Sequence, residues 1–483
     1  MSNHLPTPEQ TVILDTVRST EENLLISALA GAAKTTTLVM VAEQLPKKQL
    51  LCLAFNKSIA EEMQERFPGN CEARTLNSLG HRAWSTTLGK GLRVETDKNF
   101  KIIKQIVDTL PRRDKTAAYD NFSFILKAVE FGKVMGYVPT GKFENARPVM
   151  NDDALFESLE EEPTPLLWDI IREASFVSLK QSWSGVIDYS DQILLPGVFP
   201  VSVPSTQDVV LLDETQDLSV LNHVLIKKLV RSKRLIAVGD DCQSIYAFRG
   251  AHPGSMSLLK SDFDMQELRL SVSFRCPEEI VREAQWRAPH MQWHKSGGAV
   301  ENWDAWDVSD IPDQTTILCR NNAPIFAMAF KLLKAGRYPR VVGNDVGKSL
   351  IKTLKKLGPV TMSRDALETA IDQWQTIKLT KTRNEAAVRD QASCLRIFAE
   401  QGETLADAIA YADHILEVKG PVTLLTIHKA KGLEFDHVII LDRHLIRTGP
   451  KVQKHDQQED NLLYVAQTRS KNVLCYANSE DWT

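Results

Sequence analysis

Leu24-Leu25-Ile26 runs into Ala28-Leu29-Ala30-Gly31-Ala32-Ala33-Lys34-Thr35, an apolar segment followed by a turn that ends in lysine and threonine. A phosphate-binding loop of the form G-x-x-x-x-G-K-[ST] wants glycine at positions 28 and 33. Both are alanine here, while Lys34 and Thr35 keep the pattern and Gly31 survives inside the loop. A helix-like stretch, Thr36 to Leu45, leads out. Strand, loop and helix in that order aim backbone N–H groups and a helix N-terminus at an anion. The backbone at position 33 decides what its alanine does. With φ above zero the methyl costs about 1 kcal/mol and crowds a phosphate; with φ negative it favours the helix.

The same alternation extends outward. Thr7-Pro8-Glu9-Gln10 forms a capping box with proline at the first helical position, starting a helix that carries Val12, Ile13 and Val17. Strands are expected at 24–29 and 49–55, with helices at 35–45 and 57–67. Short apolar strands separated by helices imply a parallel sheet covered on both faces. From 90 to 184 the pattern turns helical, with an acidic stretch at Glu157 to Glu162. Strand signals resume at Val209-Val210-Leu211-Leu212 and Leu235-Ile236-Ala237-Val238, continuous apolar runs as buried strands require. A second α/β series starts near 276, with strands at Thr315 to Cys319, Val422 to Ile427, His437 to Leu441 and Val473 to Tyr476. Its own helical interruption covers 345–418.

At 483 residues the chain is too long for one ordinary core and points to two to four domains. With 43% hydrophobic and 25% charged residues it reads as soluble and globular. No apolar run approaches the roughly 18 residues that span a membrane. Met1 to Gln10 lacks the basic start and apolar core of a signal peptide. The expectation is an intracellular protein, cytoplasmic in a bacterium or phage-infected cell, or nuclear in a eukaryote. Seven scattered cysteines without a C-x-x-C pair read as buried thiols, not a zinc or disulfide framework. A net charge of −4 neither announces nor excludes nucleic acid, because a groove can be basic on an acidic protein. Basic clusters stand at Lys227, Lys228, Arg231, Lys233 and Arg234, at Lys348, Lys352, Lys355 and Lys356, and from Arg443 to Lys454. Each also reads as a solvated face.

Val209 to Asp217 (VVLLDETQD) carries the most chemistry. A buried strand that ends in adjacent carboxylates matches a Walker B site. Asp213 would hold Mg²⁺ through water, and Glu214 would orient or deprotonate the attacking water. Thr35 would give the metal a hydroxyl, and Lys34 would neutralise the β- and γ-phosphates. A second strand then ends in Val238-Gly239-Asp240-Asp241-Cys242-Gln243-Ser244-Ile245-Tyr246-Ala247-Phe248-Arg249-Gly250-Ala251.

With these runs in view the chain resembles a superfamily 1A DNA helicase of the UvrD/Rep kind, in a short form similar to the F-box DNA helicase and phage relatives (Ala54-Phe55-Asn56-Lys57). Further stretches match in order. Pro8-Glu9-Gln10 is similar to the adenine-reading glutamine motif. Thr75-Leu76-Asn77-Ser78-Leu79 stands at a DNA-contacting motif. Ile187-Asp188-Tyr189-Ser190-Asp191 resembles a D-F-x-D-L segment. Leu270 to Pro277 (LSVSFRCP) carries a first arginine finger, Arg275. Thr423 to Val438 and Asn461 to Ser470 (NLLYVAQTRS) carry Glu434 and a second finger, Arg469.

The resemblance implies an α/β fold of two RecA-like P-loop domains with parallel sheets, each with a mainly helical insertion. The first would take 1–89 and 185–275, interrupted by 90–184. The second would take 276–344 and 419–483, interrupted by 345–418. It implies an enzyme that hydrolyses ATP with Mg²⁺ between the two domains and translocates on single-stranded DNA, 3′ to 5′, unwinding duplex junctions. Replication or repair proteins would be its partners, and no membrane. Lys34, Asp213, Glu214, Gln243, Arg275 and Arg469 would be catalytic. Gln10, Ala30, Gly31, Ala32, Ala33, Thr35, Thr36 and Glu434 would join Lys34 in binding ATP. Gln10 has a second available role, as the third helical residue of its capping box. Phe55, Asn56, Thr75, Asn77, Tyr246, Phe248, Arg249, Thr426 and His428 would meet DNA, the aromatics by stacking on bases. Phe248 stands where larger helicases carry tryptophan. Two rival readings are a DNA-binding regulator whose ATP site is weakened at Ala33, and a 5′-to-3′ motor. The phenylalanine at 248 and Tyr464-Val465-Ala466 argue against the second rival; the retained Lys34, Thr35, Asp213, Glu214, Arg275 and Arg469 argue against the first.

Overall fold

The computed structural model describes residues 5–231, 233–446 and 457–483. The basic stretch expected from Arg443 to Lys454 therefore falls, over 447–456, outside the described residues. The chain separates into two compact units. One holds the segment up to Ala28 together with Ala33–Leu270; the other holds Leu29–Ala32 and Ser271–Thr483. The division falls five residues before the boundary the sequence suggests, so Arg275 belongs to the second unit.

Each unit is built on a six-stranded sheet. In the first, the strand Leu24–Ala28 lies between Arg234–Gly239 and Gln266–Leu270, with Leu24 opposite Ile236 and Gln266. Leu50–Ala54 lies between Cys71–Thr75 and Val209–Leu212, with Leu50 opposite Cys71 and Val209. Val209–Leu212 joins Arg234–Gly239 to close the order. All these pairings are parallel. In the second unit the order runs Ala299–Trp303, Ser470–Ala477, Phe435–Leu441, Thr316–Cys319, Val422–Thr426 and Pro339–Val341, again parallel throughout. The α/β fold with two parallel sheets is the one the resemblance implies.

The apolar runs that announced strands are the inner four of each sheet. Val209–Leu212, Leu50–Ala54 and Arg234–Gly239 are buried at every position. The four edge strands gave no such run. Gln266–Leu270 and Ala299–Trp303 leave most of their residues in contact with water. A strand flanked on one side only needs no continuous apolar sequence.

In the first unit the helices Lys98–Asp108, Phe122–Val134 and Pro165–Trp183 build a separate core around Ile102, Ile125 and Ile171. In the second, Asn344–Leu357, Arg364–Leu379, Glu385–Ala399 and Leu405–Glu417 share one continuous core with the sheet. All seven cysteines are free and six are buried. Among the described residues no helix is long and apolar enough to cross a membrane.

One close approach sets the wall of the candidate site. Helix Leu76–Leu88 packs against Asp191–Val198, and a Cβ on Gly80 would lie 1.8 Å from the Gln192 carbonyl oxygen. The two backbones touch because position 80 has no side chain. Gly80→Ala should destabilise the protein by about 1–3 kcal/mol or more, as overpacked sites do. Gly69→Ala, where nothing lies within 4 Å, should fall within about 0.5 kcal/mol of wild type. Urea unfolding of both variants checks the contrast.

Candidate nucleotide and nucleic-acid sites

In a parallel α/β sheet, ligands collect at the carboxyl ends of the strands. There, in the first unit, strand Val209–Leu212 delivers Asp213 and Glu214, and helix Lys34–Glu43 starts with Lys34 and Thr35. The Thr35 hydroxyl donates to Asp213 Oδ2 at 3.1 Å, and Lys34 Nζ lies 3.8 Å from Glu214 Oε1. The Glu214 amide donates to Asp213 Oδ1 at 2.9 Å. Asp213 is 5% exposed. Burial, with Glu214 adding to it, pushes its carboxyl up to about 7 against the pull of Lys34. A buried carboxylate and a hydroxyl, with a second carboxylate alongside, are hard oxygen donors that suit Mg²⁺.

Ala33 answers the question its sequence raised. It takes φ 56° and ψ 41°, the left-handed region, so its methyl is carried at a cost of about 1–2 kcal/mol. Glu214 is also left-handed, at φ 52°. Backbone strain thus stands on both sides of the Lys34–Glu214 pair, a distribution found at functional sites. Gly31, at φ 73°, has no such latitude: a Cβ there would lie 2.6 Å from both Arg275 Cβ and Ser273 Oγ. The loop residues 29–32 group with the second unit through specific bonds. The Ala30 amide donates to Tyr464 Oη at 3.0 Å, and the Phe274 amide to the Gly31 carbonyl at 2.9 Å. Ala32 is buried, and Thr36 accepts a bond from Arg66 at 3.1 Å.

Gln216 was not nominated by the sequence reading, although it lies in the quoted run. Its Nε2 donates to Glu214 Oε2, and its Oε1 accepts the Asp240 amide at 3.0 Å. Asp240 in turn accepts Gln243 Nε2 at 2.6 Å. One buried amide therefore joins the carboxylates after one strand to the polar turn after the next. The signal for it was a buried polar residue three places beyond Asp213. Gln10 shows its capping role in full: Oε1 accepts the Thr7 amide at 2.9 Å, and Nε2 donates to Thr37 Oγ1 at 3.0 Å.

An open groove of about 760 Å³ gathers Phe55, Asn56, Thr75 and Asn77 with Arg74 and Tyr189. Asn56 and Thr75 cap their helices, accepting from the Ile59 and Ser78 amides at 2.9 and 3.1 Å. Asn77 donates to the Tyr189 carbonyl at 2.9 Å. Phe55 and Tyr189 are 56% and 61% exposed, so two rings face water in one groove. Tyr189 and Arg74 were missing from the expected contacts; Tyr189 stands in the Ile187–Asp191 segment, whose residues were given no role. Phe248 is 60% exposed, and Arg249 lies over it and over Tyr246 at 5.5 and 5.2 Å from the ring centroids. Core packing does not account for Phe248.

In the second unit Arg275 Nε pairs with Glu434 Oε2 at 2.8 Å. Arg469 is buried, its Nε on the Val465 carbonyl at 3.0 Å and its Nη1 on the Leu433 carbonyl at 3.1 Å. Thr426 precedes the short helix Ile427–Ala430, which carries His428, and both are half-buried.

A family model described as an AAA domain matches residues 10–249, and one described as a UvrD-like helicase C-terminal domain matches residues 360–480. The chain belongs to the UvrD-like helicase family. F-box DNA helicase 1 of Gallus gallus is 26% identical to it, covering 98% of this chain and 49% of its own length. F-box DNA helicase protein 1 of Schizosaccharomyces pombe is 22% identical, covering 97% and 57%. DNA helicase II of Haemophilus influenzae is 25% identical over 54% of this chain and 38% of its own. The chain spans about half the length of the curated relatives it matches.

Two outcomes follow from this geometry. Ala33→Gly should raise stability by about 1 kcal/mol in denaturant unfolding, because glycine accepts φ 56° without strain. The second concerns His223, which is buried with Nε2 2.9 Å from Ser255 Oγ, while Ser255 donates to the Thr215 carbonyl. Burial first, and His252 second, lower its pKa to about 4. The unfolded chain binds the proton between about 6.5 and 4 and the folded one does not, so stability is lost as pH is lowered from about 6.5 to 4. His223→Gln should flatten this part of the stability–pH curve, measured by urea midpoints from pH 4 to 7.

Proposed function

We propose that the chain is an ATP- and Mg²⁺-dependent DNA helicase that translocates on single-stranded DNA, 3′ to 5′. The meeting of Thr35 with Asp213, and of Lys34 with Glu214, is the observation that carries the reading. The matched helicase family and the DNA helicases named among the relatives support it.

In this reading Lys34 binds the β- and γ-phosphates and leaves Glu214 to orient the attacking water and take its proton. Thr35 and Asp213 hold Mg²⁺, which neutralises phosphate charge when bound. Gln216 keeps the Glu214 carboxylate turned toward the site while Gln243, on Asp240, faces the γ-phosphate. Arg275 contributes the charge that offsets the transition state, exchanging Glu434 for phosphate. Arg469 holds the loop at Leu433 and orders the segment carrying Glu434. Bases stack on Phe55, Tyr189, Tyr246 and Phe248, and Arg74 and Arg249 meet the backbone. Replication or repair complexes are the setting such a motor suits, in the cytoplasm or the nucleus.

The weakened-site reading draws on one observation, the strained Ala33. ATPase assays with and without single-stranded DNA separate the two. A motor should show DNA-stimulated turnover that falls about 100-fold or more in Lys34→Ala. Tyr189→Ala should raise the DNA concentration for half-maximal stimulation about tenfold, the scale of one lost base stack. No stimulation by DNA sinks the motor; displacement of streptavidin only from 3′ ends would reverse the polarity.

A further inference from the structure

Beneath Tyr189 lie four ionised side chains with almost no access to water. Lys98, Lys133, Asp188 and Asp191 are 1%, 4%, 6% and 0% exposed. Lys98 Nζ donates to Asp191 Oδ2 at 2.6 Å and to Ser182 Oγ at 2.8 Å. Lys133 Nζ donates to Asp188 Oδ2 at 2.5 Å and lies 2.8 Å from Asp191 Oδ1. The two aspartates cross-brace their own turn: the Asp188 amide donates to Asp191 and the Asp191 amide to Asp188, both at 2.9 Å. The lysines come from the helical part of the first unit, Lys98 from Lys98–Asp108 and Lys133 from Phe122–Val134. The aspartates bracket Tyr189, whose ring stands in the groove and whose carbonyl receives Asn77.

Four buried charges are an inefficient way to stabilise a fold, since desolvation consumes most of their attraction and apolar substitutes often serve as well. Their particular property is directional: each bond fixes a donor and an acceptor to within a few tenths of an ångström. The cations and anions balance; burial opposes charge throughout, yet the partners raise Lys133 and lower Asp191, while burial takes Lys98 down to about 8.

We propose that Lys98 and Lys133 are positioning residues, through which the helical insertion sets the Asp188–Asp191 turn and so the placement of Tyr189 in the groove. This rests on the groove being the DNA site. It gives the insertion a task distinct from packing: its helices determine the spacing between the Tyr189 and Phe55 rings, and hence the affinity for bases.

Lys98→Met tests it, because Lys98 lines no part of the groove. DNA-free ATPase and turnover at saturating DNA should be unchanged, while the half-stimulating concentration of an oligo-dT strand rises about tenfold. A double-mutant cycle with Tyr189→Ala supplies the readout that a merely structural role would leave alone. In the Tyr189→Ala background Lys98→Met should add less than twofold. Should Lys98→Met fold poorly, Lys98→Met/Asp191→Asn keeps an acceptor for the Asp188 amide and leaves the Lys133–Asp188 pair intact, with the same expectation. Independent, multiplicative losses overturn the proposal, as does an unchanged DNA requirement in Lys98→Met when Tyr189→Ala alone weakens binding. If Tyr189→Ala has no effect, the groove reading fails first and this inference with it.

Discussion

The first unit depends on a carboxylate placed where water cannot solvate it. Asp213 ends a strand buried at all four positions, and among the described residues its oxygens accept from the Thr35 hydroxyl and the Glu214 amide. Glu214 next to it makes matters worse, and Lys34 is the nearest compensation. An arrangement of this kind is stable only because the sheet and the loop determine it from both sides. Its electrostatic shortfall is a cation's worth of charge, which is why the same geometry that is awkward by itself is suited to a divalent ion and a polyphosphate. The left-handed backbone at Ala33 and Glu214 belongs to the same economy of placement. Each holds a backbone conformation that the surrounding loop and sheet must impose.

A second constraint runs through the polar interior. Gln216 ties Glu214 to Asp240, and Asp240 holds Gln243. The turn after that leads to Tyr246 and Phe248, whose rings meet edge to face at 6.2 Å, with the Arg249 guanidinium lying over both. Neighbouring strands therefore end in the Glu214 carboxylate and in the Asp240 turn, joined through one amide, with the Tyr246 and Phe248 rings a few residues further on. The Lys98–Asp191 and Lys133–Asp188 pairs repeat the principle at the groove, with buried charge used for direction and not for cohesion.

The parts of this structure that were legible in the sequence are those where burial leaves a continuous trace. Strands such as Leu50–Ala54 and Val209–Leu212 have neighbours on both sides and helices on both faces, so every position is apolar. Cys71–Thr75 and Gln266–Leu270 are sheet edges, where water replaces a neighbour and the trace disappears. The loop ahead of Lys34 and the paired carboxylates Asp213 and Glu214 were legible as a pattern of residue types, and the fold brings the two together. Tyr189 and Gln216 were not, for opposite reasons. Tyr189 presents an exposed ring to the groove, and exposed rings have no sequence period. Gln216 matters through two hydrogen bonds to partners that only the folded sheet brings near.

Ala33 shows where sequence rules and physical cost part company. A consensus glycine marks a position that needs φ above zero, and the backbone here is indeed left-handed. Alanine bears that conformation for about 1–2 kcal/mol, a modest sum beside the loop's other constraints. Gly31, two residues earlier, faces a different obstacle: its missing Cβ would overlap Arg275 and Ser273, and no adjustment of backbone angle removes atoms from that space. Conformational preference can be overruled by a small free energy, whereas steric exclusion cannot. That difference accounts for a loop that has surrendered the glycine its consensus names and kept one the consensus does not mention.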